Sequence, residues 1–206
     1  MLKNLRNTIE RKKGERNRLR RSLSESLKSI SELKENIDTF LKCQIVLQDV
    51  VGQIQKKIKY QINNLVTVAL KSVFPDNPYK FVLEFVNRRG KTECDILFER
   101  ESQRFDPIAE SGGGVVDVAA FTLRIAMWSL SGKYDNVLIF DEPFKNINDE
   151  TRETHRRIAA LVKELSHKMK IQFIIISMIP ELQEIADRNF KFRLRKKGIT
   201  ITKCQR

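Results

Sequence analysis

The sequence has little that could bind a soft metal. Among 206 residues there are three cysteines, Cys43, Cys94 and Cys204, and two histidines. No Cys-x-x-Cys occurs, so nothing indicates a zinc site built by this chain alone. A sparse, odd cysteine set fits reduced thiols in a cytosolic protein. His155 and His167 fall on one predicted helix with no cysteine nearby, and they read as surface residues rather than ligands. A secretory signal core is also lacking, because Met1-Leu2-Lys3-Asn4 opens directly in a charged amphipathic pattern. No uninterrupted apolar run is long enough to span a bilayer, so a soluble intracellular chain without membrane contact is expected. No internal repeat or low-complexity segment occurs. The pattern Gly-x-x-x-x-Gly-Lys-Ser/Thr, which cradles nucleotide phosphates, is missing too. Ser131-Gly132-Lys133 comes nearest, but it lacks the upstream glycine and the following hydroxyl.

What is abundant is positive charge, formally +13, and it is unevenly placed. Residues 1–72 hold sixteen Lys/Arg against seven Asp/Glu, and residues 188–206 hold eight against none. The segment between them carries fifteen against nineteen and is therefore mildly acidic. A basic helix and tail of this kind suit a polyanionic partner, most often nucleic acid. The densest cluster is Arg11, Lys12, Lys13, Arg16, Arg18, Arg20 and Arg21. No aromatic residue interleaves with it, so base stacking is not indicated. DNA binding here would be of the backbone type and salt-sensitive. A solvated coiled-coil face is the plainer reading of the same residues.

Spacings of three and four residues pick out Leu2, Leu5, Ile9, Lys12, Arg16, Leu19, Leu23, Ser26, Ile30, Leu33, Ile37 and Phe40. The series continues through Gln44, Leu47, Val51, Ile54, Ile58, Gln61, Leu65 and Val68. A seam sustained over so many heptads predicts a coiled-coil helix, which would run about 100 Å at ~1.5 Å per residue. The seam weakens at Lys12 and Arg16, beside Gly14, where a break, fray or distal turn is expected, or else simply a solvated helix end. A helix with one apolar stripe needs a second helix to cover it, and this chain offers none of similar length.

Phe74-Pro75-Asp76-Asn77-Pro78 ends that helix by turn chemistry. The expected division is 1–72 as a coiled-coil arm and 73–206 as an α/β lobe. Strands are predicted over Phe81–Val86 and Glu93–Phe98, joined by a hairpin turn at Asn87–Lys91 with glycine at a strained position. Residues 100–108 read as a polar loop. A well-buried helix is predicted over Val115–Leu130, with Asp117 and Arg124 on its polar side and its end at Ser131-Gly132-Lys133. A core strand follows at Asn136–Phe140. An amphipathic helix spans Asp149–Lys170, and a buried strand covers Ile171–Ser177. Strand, helix and strand at this spacing make a βαβ unit with parallel strands. A short helix at Glu181–Arg188 and a terminal hairpin around Lys196-Lys197-Gly198 complete the pattern. Trp128 and the phenylalanines sit at core spacing.

Two stretches carry chemistry. Glu110-Ser111-Gly112-Gly113-Gly114 opens a helix, and glycines there let backbone N–H groups approach an anion. Ser111 can donate a hydrogen bond while capping that helix. About thirty residues later a hydrophobic strand ends in Asp141-Glu142, followed by Pro143. One carboxylate there can serve a magnesium shell and the other can activate water.

This pair, in this order, resembles the C-terminal half of an ABC-type ATPase head, and the preceding heptad helix makes it similar to the SMC family. That superfamily includes RecF, RecN and the coiled-coil ATPases of double-strand-break repair. The resemblance implies the C-terminal lobe of an ABC-type head, a P-loop NTPase-like sheet with flanking helices, preceded by a coiled-coil arm. It implies ATP and Mg2+ as cofactors. Ser111, Gly112, Gly113 and Gly114 correspond to the signature that meets the γ-phosphate of a nucleotide on a second head. Asp141 would orient the magnesium, through water, and Glu142 would polarise the attacking water. Asn148 falls at the D-loop aspartate, and it can also cap the helix after it. Ser177 precedes Met178, which stands where many members carry a switch histidine, and Ser177 is the candidate substitute. Gly114 and Val115 also depart from the pattern, standing where Gln or Glu and a basic residue are usual.

Without a P-loop, the resemblance implies an N-terminal Walker A lobe with the opposite coil arm, supplied by another chain or by the rest of a longer one. DNA, a second head and a nuclease subunit are the other implied partners, in the cytoplasm or at the nucleoid. The competing reading is a non-catalytic coiled-coil scaffold or DNA-bridging protein with a degenerate head, which Gly114, Asn148 and Met178 favour. An ABC transporter ATPase fits less well, because nothing couples to a membrane and the coil is long.

Overall fold

The computed structural model describes residues 2–76, 78–148, 151–195 and 198–204, without the side chains of 193–200, 203 and 204. The chain divides into two units, Met1–Ile54 and Gln55–Arg206.

The described residues of the first unit are all helical. Helix α1 spans Leu2–Val73, and every residue from Leu2 to Val51 is exposed, including the seam residues Leu5, Leu19, Ile30 and Phe40. The expected break near Gly14 is absent and the helix runs straight through it. The reason is energetic. One exposed glycine costs a helix only about 1 kcal/mol relative to alanine. Ion pairs Lys13–Glu10 (3.2 Å) and Lys12–Glu15 (3.4 Å) flank it and offset part of that cost. The solvated-helix alternative is the one observed.

In the second unit, α1 turns a different face to the protein. Its buried residues are Ile62, Val66, Ala69, Leu70 and Val73. The heptad seam instead predicts Gln61, Leu65 and Val68, and Val68 is 57% exposed. Neighbouring helical residues are about 100° apart, so the core-facing stripe is centred beside the seam and overlaps it only at its edge, where Ile58 and Leu65 are partly buried against the core.

Strands β1 (Lys80–Arg88), β2 (Lys91–Arg100) and β3 (Gln103–Phe105) form an antiparallel sheet in that order. The β1–β2 turn has Arg89 at φ 52° and Gly90 at φ 74°, the doubly left-handed pair of a two-residue hairpin. Strand β3 lies in the expected polar loop. Its turn uses Glu101 (φ 51°) and Ser102 (φ 66°), which carry no glycine signal. The same stretch also contains α2 (Pro107–Glu110), capped by Asp106, whose carboxylate accepts from the N–H groups of Ile108 (2.7 Å) and Ala109 (3.4 Å).

Edge strand β1 is sealed by α1. Asn63 Oδ1 accepts the Leu83 N–H at 2.9 Å, and Thr67 Oγ1 accepts the Phe81 N–H at 3.0 Å. Asn63 and Thr67 are four apart on the helix, and Phe81 and Leu83 are two apart on the strand, so one helix face meets one strand edge.

Helix α3 (Gly113–Ser131) ends at Gly132 in the left-handed conformation, as expected. It is long and apolar enough by composition to cross a membrane. Here it is the core helix, with Val115, Val118, Ala119, Phe121, Thr122, Ile125 and Ala126 buried. Strands β4 (Val137–Asp141) and β5 (Gln172–Ile176) pair in parallel, as the βαβ reading requires, with α4 (Glu153–Met169) between them. Helix α5 (Pro180–Ile185) follows, and β6 (Asn189–Arg195) pairs antiparallel with β7 (Gly198–Cys204). Lys196 and Lys197, in the expected turn, lie outside the described residues. One hydrophobic core joins the C-terminal end of α1 with β1, β2, α3, β4, α4 and α5. Arg157 of α4 donates to the Val73 carbonyl at 3.4 Å, satisfying part of the end of α1.

Asn63→Ala and Thr67→Val should each destabilise the chain by about 1–3 kcal/mol, because each strands a strand-edge N–H. Denaturant unfolding of the full chain will read this as a lowered midpoint. A pH-dependent companion concerns Glu99, held below the usual carboxylate range first by the hydrogen bond from Lys80 and then by that from Arg104. A depressed folded pKa stabilises above the unfolded value, and that contribution is lost as pH falls through the folded one. The stability gap between wild type and Glu99→Gln should therefore be open at neutral pH and close in acid.

Candidate functional site

The site begins with the parallel pair. Leu138 and Phe140 on β4, and Phe173 and Ile175 on β5, face the core. Phe121 of α3 packs on Phe140 (ring centroids 4.5 Å), Phe144 (4.9 Å) and Phe173 (5.8 Å), so one side chain holds both strands and the loop after β4. The opposite face is apolar and exposed, with Val137 at 40%, Ile139 at 69%, Ile174 at 45% and Ile176 at 56%.

At the carboxyl ends of these strands stand Asp141, Glu142 and Ser177. Asp141 is exposed and lies opposite Ile176 in register. Glu142 is half-buried, and its N–H donates to the Ile176 carbonyl at 2.9 Å, which extends the ladder by one residue. Its φ of 45° is unusual for a residue with a side chain, a strain of the sort that collects at functional positions. The chain then turns tightly. Lys145 N–H donates to the Glu142 carbonyl (3.4 Å), and Ile147 N–H to the Phe144 carbonyl (3.2 Å). Pro143 and Phe144 are buried and anchor this turn. Ser177 is half-buried, and its Oγ accepts the Ile179 N–H at 3.2 Å. Met178 is 82% exposed.

The glycine turn sits at the start of α3. The cap is Gly112, with no side-chain hydrogen bond, so Ser111 does not cap this helix as expected. Ser111 instead ends α2, with both its N–H and its Oγ donating to the Pro107 carbonyl. The first intrahelical bond of α3 runs from Val115 N–H to the Gly112 carbonyl at 3.0 Å. The N–H groups of Gly113 and Gly114 precede it, at the positive end of the helix dipole.

Glycine turn and strand tip meet through the loop. A Cβ on Gly113 would stand 2.9 Å from the Asn146 Cβ, and one on Gly114 would stand 2.8 Å from Ile147 Cγ1. Neither glycine can gain a side chain without displacing that loop. Asp117, one turn into α3, clamps the same loop. Its carboxylate accepts the Asn146 N–H at 2.9 Å and the Asn146 side-chain amide at 3.1 Å.

Other expected residues fall elsewhere. Asn148 is exposed and does not cap the following helix, because α4 begins at Glu153 with Arg152 as its cap. Asp149 and Glu150, its expected first residues, lie outside the described residues. The seven basic residues Arg11, Lys12, Lys13, Arg16, Arg18, Arg20 and Arg21 are exposed in the first unit, where Lys12, Lys13 and Arg21 pair with carboxylates on their own helix. His155 is not a surface residue. Its side chain is 15% exposed, with Nδ1 3.8 Å from Glu181 and Nε2 3.4 Å from the Ile147 carbonyl. Asp117, Asn146 and Ile147 escaped the sequence reading. A carboxylate one turn inside a helix that opens on glycines was the available signal.

No family model matches the chain, and no curated protein does. Solved structures do. An SMC ATPase studied for ATP-driven dimerization and DNA-stimulated activation aligns with a TM-score of 0.56 and 16% identity, over 74% of this chain and 89% of that one. The Smc head domain of Pyrococcus furiosus, with an extended coiled coil and bound to the C-terminal domain of ScpA, gives 0.55 and 18%, over 77% and 40%. That of Pyrococcus yayanosii, with a coiled coil and joint, gives 0.55 and 20%, over 84% and 34%. The chain thus spans well under half the length of both Pyrococcus chains. What it shares with all three is the fold, a mixed α/β head preceded by a long helix.

Proposed function

We propose that this chain is the C-terminal half of an SMC-like ATPase head that acts on DNA in repair or recombination. One observation supports it above the rest: Gly113 and Gly114 press directly on the loop that leaves the Asp141-Glu142 strand tip. A glycine-rich helix start and an acidic strand end lie about thirty residues apart in sequence, and this contact sets them side by side at one edge of the parallel pair.

The residues suit a magnesium nucleotide. Asp141 offers an exposed carboxylate at the carboxyl end of a parallel strand, the usual place for ligands in open α/β sheets, and its oxygens are hard donors. Bound magnesium would neutralise phosphate charge. Glu142, fixed by its bond to Ile176, accepts a proton from the attacking water. The N–H groups at the start of α3 receive phosphate oxygens from a nucleotide carried by a second head, and Ser111 Oγ adds a donor once it turns from Pro107. Phosphoryl transfer asks mainly for such positioning and charge.

The uncovered surfaces suit a missing half. A parallel pair normally has both faces covered, yet Ile139, Ile174 and Ile176 are exposed. Phe190, Phe192 and Ile201 on the β6–β7 hairpin are exposed as well. A Walker A lobe would cover the sheet, and its arm would cover the α1 seam. The scaffold alternative draws on Met178, which offers no imidazole. Gly114 no longer favours it, since Ile147 occupies the space a longer side chain would need.

Co-expressed with a P-loop lobe bearing a matching heptad arm, the chain should hydrolyse ATP. Glu142→Gln should lower kcat by about 10²- to 10⁴-fold, and Ser111→Arg should abolish nucleotide-dependent joining of two heads. Hydrolysis that survives both changes overturns the proposal. DNA binding supplies a separate measurement. Replacing Arg11, Lys12, Lys13 and Arg16 with Gln should weaken binding regardless of sequence. It should also flatten the salt dependence by about one unit of slope for each phosphate that is no longer neutralised. Gel shifts indifferent to ATP and magnesium would favour the scaffold.

A further inference from the structure

The loop after β4 is held at three points. Asn146 is gripped by Asp117 of α3 through two hydrogen bonds, at 2.9 and 3.1 Å. Ile147 fills the space over Gly114, where an added Cβ would stand 2.8 Å from it. The Ile147 carbonyl lies 3.4 Å from His155 Nε2 of α4. Glu142 opens the same loop, and its own carbonyl accepts the Lys145 N–H. Lys145 is the direct neighbour of Asn146 in the chain. Fixing Asn146 therefore fixes the backbone that aims Glu142.

Asp117 gains little from this as a stability device. It is half-buried on the polar side of α3, and the loop is already anchored by Pro143 and Phe144 in the core. What the clamp adds is direction. It ties the first turn of the helix whose N–H groups face a phosphate to the segment that carries the water-activating carboxylate.

We propose that Asp117 and Asn146 are positioning residues that lock the glycine turn and Glu142 into one rigid piece, so that phosphate uptake at the turn sets the aim of Glu142. This rests on the ATPase reading above. It predicts that breaking the clamp lowers turnover without loosening nucleotide binding, because the phosphate donors themselves stay in place.

The test uses the full chain with its P-loop lobe. Asn146→Asp keeps size and the backbone bond but sets a carboxylate against the Asp117 carboxylate. It should lower kcat roughly 10- to 100-fold, the scale of a misplaced reacting group, with KM within about twofold of wild type. Adding Asp117→Asn lets the new amide donate to the new carboxylate, and should restore most of kcat. Asp117→Ala, which suits a helix, should lose kcat like Asn146→Asp. Glu142-dependent hydrolysis that ignores both single changes overturns this inference and leaves the ATPase reading standing. So does a rise in KM at unchanged kcat, or failure of the second change to restore activity. Absence of Glu142-dependent hydrolysis in the wild type overturns the ATPase reading, and this inference with it.

Discussion

The close approach of the α3 N-terminus to the loop after β4 is the constraint on which the rest of this α/β unit depends. It requires glycine at 113 and 114, because any Cβ there would enter Asn146 or Ile147. It is tied by a carboxylate at 117, which accepts the Asn146 N–H at 2.9 Å. It also uses Phe121, one turn further on, whose ring packs on Phe140, Phe144 and Phe173 and so holds strand, loop and neighbouring strand together. One helix thus serves as core hub at its middle and as a close-packed seat for the loop after β4 at its start.

Helix α1 carries a second constraint, two apolar stripes that only partly coincide. Over residues 62–73 its buried stripe packs on this chain's own sheet and helices. The heptad seam is offset from that stripe: Ile58 and Leu65 touch the core from its edge, and Val68 stays exposed. Asn63 and Thr67 belong to neither stripe. They are polar because they meet a strand edge, whose N–H groups demand acceptors that leucine cannot supply. Reading hydrophobicity alone along this helix therefore misses the residues that attach it.

Most of the architecture was legible in the sequence because it follows from periodicity and punctuation. The long helix, its end before Pro75, the Gly90 hairpin, the α3 stop at Gly132 and the parallel β4–β5 pair all came from such signals. What escaped was whatever lacked a signal of its own. Strand β3 turns on Glu101 and Ser102, both left-handed without glycine. Gly14 looked like a breaker, but an exposed glycine flanked by ion pairs costs a helix too little to stop it. Asn148 looked like a cap, yet α4 starts at Glu153 with Arg152 in the left-handed region. His155 looked like surface because its partners, Glu181 and the Ile147 carbonyl, come from other elements and have no sequence signature. At the site, the glycines and the acidic pair could be read directly. Their contact could not, since Asp117 and Asn146 are 29 residues apart and Asn146 carries no signal that would pair it with the Asp117 carboxylate.

That contact also changes what a departure from a motif means. Judged by type alone, Gly114 in place of a longer polar residue suggests decay of the signature, and decay suggests a scaffold. Judged by surroundings, the same glycine is demanded by the close packing of Ile147. A site that is merely decaying loses side chains without gaining partners for the space they leave. Here Ile147 fills the space beside Gly114 and the adjoining loop is gripped by the Asp117 carboxylate. The same test distinguishes Met178, which is exposed. Of the three departures that favour a scaffold, Gly114 belongs to a close contact, while Asn148 and Met178 are both exposed.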